Sequence, residues 1–110
     1  MPRAAVTSDV FNAIAEAKRR EIVELLARGS RGVTELVDLL RLPQPAVSKH
    51  LGVLRAVGLV AVEKRGRERV YSLDASELKT VHDWARMFER FWGHHATSIK
   101  KRAEGKARKR

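Results

Sequence analysis

Two short apolar stripes, separated by a proline-bearing break, constrain this chain more than any other feature. Leu36, Val37, Leu39 and Leu40 recur at helical spacing, and Leu42 and Pro43 interrupt them. Val47, Leu51 and Leu54 then form a second stripe that Gly58 ends. Pro43 cannot continue the first helix, whereas Pro45 sits in the first turn of the second, where a missing amide N–H has no helical partner in any case. With Thr34 as the expected N-cap, the segment reads as a helix of barely two turns, a tight turn and a longer helix. The outer face of that longer helix is polar and basic.

Two helices are expected upstream. Ser8 is placed to cap the first, which runs from about Asp9 to Ala17 with Val10, Phe11, Ile14 and Ala15 on one face. The second carries Ile22, Val23, Leu25 and Leu26 and stops at Gly29 and Ser30. Downstream of Leu59 the period changes to two. Val60 and Val62 alternate with Ala61 and Glu63, and Val70 and Tyr71 follow in a second run ending at Leu73, so a hairpin should turn around Gly66 and Arg67. Asp74 and Glu77 have capping-box spacing and should open a long fifth helix reaching the region of His94 or beyond. Its broad apolar face holds Leu78, Val81, Trp84, Ala85, Phe88, Phe91 and Trp92.

A chain of 110 residues with 5% aromatic and 33% charged residues supports one modest, mainly helical core. The expected organisation is an N-terminal arm over 1–8, one domain over 9–99 and a basic tail over 100–110 that is too polar to pack. That tail holds seven basic residues against one acid. Its surplus of six leaves +4 of the net +10 for the rest of the chain. This balance suits a polyanion, and nucleic acid fits better than a membrane, because the tail has no amphipathic aromatic face. No apolar run approaches the roughly 20 residues of a membrane span. The opening residues lack the apolar core of a secretory signal, so a cytoplasmic location is expected. Cysteine is absent, which excludes disulfides, thiolate metal sites and cysteine redox sensing.

A short helix, a tight turn and a helix with a polar outer face make the helix-turn-helix arrangement, whose second helix is presented to the major groove. If Val47, Leu51 and Leu54 anchor that helix inward, Gln44, Ala46, Ser48, Lys49, His50 and Arg55 become candidate DNA contacts. Glutamine can bond adenine bidentately, serine and histidine can reach base edges or phosphates, lysine neutralises a phosphate, and alanine can meet a thymine methyl. The hairpin tip adds Lys64, Arg65, Arg67 and Arg69 against Glu68. Such a cationic wing suits the minor groove or its flanking phosphates. The fold expected is therefore mainly α with a small β-hairpin: a winged helix-turn-helix of five helices and a two-stranded wing. A solvated helix face and a solubilising turn are the plainer readings of the same residues.

The segment from Gln44 to Val60, Gln-Pro-Ala-Val-Ser-Lys-His-Leu-Gly-Val-Leu-Arg-Ala-Val-Gly-Leu-Val, closely resembles the recognition-helix region of ArsR-family repressors. The similarity extends to Phe11–Leu26, including Arg19 and Arg20, and to a wing ending in Tyr71-Ser72-Leu73. In all it runs from about Val10 to Trp92. It implies a transcriptional repressor that binds an imperfect inverted repeat as a homodimer, joined mainly through its first and last helices. Phe11, Leu78, Val81, Trp84, Phe88, Phe91 and Trp92 are the expected interface. Trp84 and the Phe91-Trp92 pair resemble a subgroup lacking the metal-binding cysteines. Where the family often has Asp-Pro between its first two helices, this chain has Glu16-Ala17.

Metal-sensing relatives carry Cys-x-Cys on the third helix. The resemblance puts Gly32 and Thr34 at those places, and neither can replace a thiolate. A second kind of family site pairs an Asp-x-His near the start of the last helix with a His-x-x-His near its end, across the dimer. Here Thr80 replaces the aspartate, and Ser98 stands three residues after His95. His82 and His94 would lie about 18 Å apart along one helix, so a single chain could not use both and only a site shared between subunits is left, against surface or interface histidines that bind nothing. No metal, cofactor or catalytic set is expected, since no Gly-rich phosphate loop, HExxH or nucleophile elbow appears. Double-stranded operator DNA and a second copy of the chain are the expected partners, and the sequence names no ligand. Two alternatives stay open at this point: a winged-helix protein-interaction module, and a nonspecific DNA-binding protein.

Overall fold

The computed structural model describes residues 9–92, which fall into two units, 9–80 and 81–92. The elements are α1 (Val10–Ala13), α2 (Ala17–Ala27), β1 (Arg31–Gly32), α3 (Val33–Leu40), α4 (Gln44–Ala56), β2 (Val60–Arg65) and β3 (Glu68–Leu73). A 3-10 turn (Ala75–Glu77) follows, and α5 (Leu78–Arg86) starts in the first unit and continues into the second. The chain is mainly helical, with one small antiparallel sheet of order β1-β3-β2.

The first helix is shorter than its apolar pattern suggested. Asp9, not Ser8, caps it, accepting the Asn12 amide at 2.8 Å. It ends at Ala13, and Ala13 rather than Ala15 faces the core beside Val10. No proline makes the break before α2. Two side chains from the following helix hold it instead. Arg19 donates to the carbonyls of Ala13 (2.6 Å) and Asn12 (3.3 Å), and Arg20 donates to those of Ile14 (2.9 Å) and Ala15 (3.2 Å). The carbonyls that a helix end leaves without intrahelical partners thus acquire donors.

The pair α3–α4 forms as its stripes require, with two corrections. Gly32, not Thr34, occupies the N-cap, and Thr34 lies within the first turn. Leu36 and Leu40 are buried at i, i+4, while Leu39 points outward at 46% exposure, because a two-turn helix turns only one narrow side to the core. Arg41 ends α3 in the left-handed conformation (φ 59°, ψ 42°) and returns its amide to the Val37 carbonyl at 2.9 Å. Pro43 is the N-cap of α4 and Pro45 stands in its first turn. Val47, Leu51 and Leu54 are completely or almost completely buried, in contact with a core that includes Ile22, Leu26, Leu36, Leu59 and Tyr71. Burying one such aliphatic side chain contributes about 1.5–3 kcal/mol.

The hairpin pairs Val60 with Leu73 through Arg65 with Glu68, leaving Gly66 and Arg67 as a two-residue loop. Gly66 takes φ +65° at the first loop position, where glycine suits the right-handed twist of the strands. The wing has one strand more than expected: β1 pairs with β3 through Arg31–Tyr71 and Gly32–Val70.

The Asp74–Glu77 capping box does not form. The Asp74 amide is taken by the Leu59 carbonyl at 2.8 Å, and its carboxylate accepts the amide (3.1 Å) and hydroxyl (2.7 Å) of Ser76. These bonds start the 3-10 turn from which α5 grows. The predicted long helix is also interrupted. At Met87 and Phe88 the amides bond back three residues, to Trp84 and Ala85, before helix resumes at 89–92. The predicted extension past His94, the arm over 1–8 and the basic tail lie outside the described residues. No helix among the described residues is long and apolar enough to cross a membrane.

Candidate nucleic-acid interface

The inward stripe of α4 fixes what its other side presents. With residues 47, 51 and 54 buried, Gln44, Ser48 and Arg55 fall on one outward strip at i, i+4, i+11. Opposite this strip stands the exit of the hairpin loop, Arg67 to Arg69. Between them lies a groove of about 480 Å³, lined also by Val33 and Thr34 at the start of α3 and by Tyr71 at its floor. Three arginines, Arg55, Arg67 and Arg69, face this groove against one carboxylate, Glu68. Its polar groups are bidentate or hydroxyl donors and acceptors suited to base edges, and its net charge suits phosphate.

Five of the ten expected contacts therefore meet in one groove: Gln44, Ser48, Arg55, Arg67 and Arg69. Ala46, Lys49, His50, Lys64 and Arg65 do not line it. Lys49 is exposed on another side of α4, and Ala46 is half-buried. Arg65 pairs with Glu63 at 3.3 Å, an exposed pair worth little to stability. His50 is turned toward α1 and α2, its side chain 17% exposed, with Nδ1 3.4 Å from the Arg19 guanidinium and 3.9 Å from a Glu16 oxygen.

Thr34, which the sequence pattern marks as a cap, is instead a groove residue. Nor does the sequence pattern show the place of Glu68, whose carboxylate occupies the space where a side chain on Gly32 would begin. Any substitution at Gly32 must move that glutamate. Among the described residues no group of three or more histidine, aspartate or glutamate side chains is placed to hold a metal ion.

Comparison with known proteins places this geometry. The family described as "Bacterial regulatory protein, arsR family" matches residues 16–62, from the N-cap of α2 into β2. The HTH-type transcriptional regulator Rv2034 of Mycobacterium tuberculosis is 42% identical over 82 residues, 74% of each chain. The HTH-type transcriptional repressor SmtB of the same species is 46% identical over 65 residues. That match covers 59% of this chain and about half (48%) of the repressor. Among solved structures, an ArsR-like transcriptional regulator from Rhodococcus sp. RHA1 superimposes with a TM-score of 0.68 at 32% identity, over 87% of this chain and 88% of that one. Groove, wing and relatives agree: the chain is a DNA-binding helix-turn-helix transcriptional regulator and belongs to the ArsR family of bacterial regulatory proteins.

Proposed function

We propose that this regulator is a cytoplasmic repressor that binds an imperfect inverted repeat in double-stranded DNA as a homodimer, reading bases with Gln44 and Ser48 and phosphates with Arg55, Arg67 and Arg69. The observation that carries the reading is the groove in which these five side chains converge from α4 and the wing. Repression is supported by the similarity to SmtB, named as a repressor. Dimerisation is supported by Trp84, Met87, Phe91 and Trp92, each half exposed or more in the single chain. A twofold protein matches a twofold operator, with half-sites about one helical turn, 10–10.5 bp, apart or a multiple of that. With no cysteine in the sequence, release by a thiolate-bound metal has no ligands to use.

Footprinting on the DNA upstream of the protein's own coding region tests the reading. The expected result is two symmetric protected half-sites that persist against excess random duplex. Even coverage without a preferred site would replace it with nonspecific binding. No protection at any concentration would replace it with a protein-interaction module.

A further inference from the structure

Arg19 makes contacts that its place on α2 does not require. Its side chain is 12% exposed. Nε donates to the Ala13 carbonyl at 2.6 Å and an Nη2 hydrogen to the Asn12 carbonyl at 3.3 Å, so two of its nitrogens are committed to the end of α1. The remaining nitrogen, Nη1, lies 3.4 Å from His50 Nδ1 and 3.6 Å from a Glu16 oxygen. A guanidinium only donates hydrogen bonds. As a hydrogen bond this contact takes His50 Nδ1 as its acceptor, and in a neutral imidazole the ring proton is then on Nε2. Among the described residues, a Glu16 oxygen also stands against this ring, 3.9 Å from the same Nδ1. His50 belongs to α4, six residues beyond Gln44 and two beyond Ser48.

We propose that Arg19 is a positioning residue for DNA reading: it holds His50 in the Nε2–H tautomer and ties the recognition helix to the end of α1. The inference rests on the DNA-binding reading above. The planar fork of arginine serves three acceptors at once, whereas a lysine ammonium at the end of a flexible stem does not reproduce that geometry. The link makes the angle of α4 depend on the α1–α2 break, none of whose residues lines the groove. Arg19 thus influences base readout without being among the groove's lining residues.

Two measurements test this. The first needs no DNA: nitrogen chemical shifts of the His50 ring in the full chain should show an unprotonated Nδ1 and a protonated Nε2. In Arg19→Met the ring should become a mixture of tautomers. The second is a cycle of Arg19→Met, His50→Phe and the double variant. It compares a duplex selected by the wild-type protein from a random-sequence pool with a scrambled duplex. Each single change should weaken the selected duplex about tenfold and the scrambled one less than twofold, and the double variant should lose no more than either single one. Arg19→Lys should not restore affinity, whereas His50→Gln, which keeps an acceptor for Arg19, should retain most of it. If Arg19→Met fails to fold, His50→Phe and the wild-type ring shifts still decide. A proton on Nδ1, additive losses, or equal losses on both duplexes would overturn the proposal. Failure of the wild-type protein to select any duplex would instead strike the DNA-binding reading, leaving the ring shifts to stand on their own.

Discussion

The two units of the chain treat their apolar side chains in opposite ways. Over 9–80, twelve apolar side chains from Val10 to Tyr71 are buried, and only Phe11 and Leu39 among the large ones described there are exposed. Over 81–92, Trp84, Met87, Phe88, Phe91 and Trp92 are all exposed, although Trp84 and Phe88 meet edge to face at 5.3 Å and Arg90 lies 4.6 Å over the Phe91 ring. Four of the six aromatic residues in the whole sequence fall between positions 84 and 92. A chain this poor in aromatics has gathered most of them in one short stretch, where they stay exposed. The proposal above assigns this apolar face to a second copy of the chain. The contrast separates a unit that is stable through its own burial from one whose burial, on the proposal above, is completed by a second copy.

The largest test of this contrast is Trp84→Asp. It should convert the protein to monomers at micromolar concentration and abolish operator binding, while circular dichroism retains the helical spectrum of the first unit. Sedimentation gives the answer, and a dimer that survives the change would erase the distinction between the units. Next in size is Leu54→Ala, inside the sealed unit. It should cost about 2–5 kcal/mol of folding stability in urea denaturation, the usual range for a fully buried leucine. A loss below that range would mean the first unit is not the self-sufficient one.

Smaller, and confined to the groove, is Glu68→Gln. Removing the one carboxylate among three arginines should raise affinity for every duplex a few-fold, since the site then carries more positive charge toward phosphate. Titration with random duplex reads it, and a fall in affinity would show that Glu68 contributes more by holding its place above Gly32 than it costs by repulsion. The smallest effect concerns Asp74. Hydrogen bonds from the Ser76 hydroxyl and then its amide hold this exposed carboxyl below the usual carboxylate range. Its folded value is lower than its unfolded one, so the stabilisation is present at neutral pH and is lost as pH falls through the carboxylate range. Asp74→Asn should flatten the acid side of the stability profile slightly. Denaturation midpoints between neutral and acidic pH measure it.

Local periodicity made much of the fold legible. The stripe Val47, Leu51, Leu54, the stop at Gly58 and the hairpin around Gly66 and Arg67 are each specified within a few residues, and each forms as expected. Several of the misses share a different cause, because they depend on partners distant in sequence. Strand β1 is two residues long and carries no period of its own; it exists because β3 offers it a free edge. The Asp74 capping box fails because the Leu59 carbonyl reaches the amide first. His50 faces Arg19, 31 positions earlier, so no pattern around residue 50 could show that its ring turns away from the groove. Glu68 is legible as a lone acid in a basic loop, but its seat above Gly32 belongs to the folded chain alone.

The two-residue strand β1 has a mechanical consequence for the wing. Because Gly32 pairs with Val70 at the very start of α3, the base of the hairpin is strapped to the first helix of the helix-turn-helix. Arg31 tightens the strap by donating to the Leu25 carbonyl at 3.2 Å and pairing with Glu35. The hairpin is therefore a lever clamped at Val70 and Tyr71, with only the stretch from Glu63 to Arg69 left to bend. Adapting to a wider or narrower DNA groove falls to that outer stretch, and swinging the whole wing would require breaking backbone bonds that also anchor α3. Amide exchange should follow the same boundary, with the clamp opening together with the start of α3 and the tip exchanging independently.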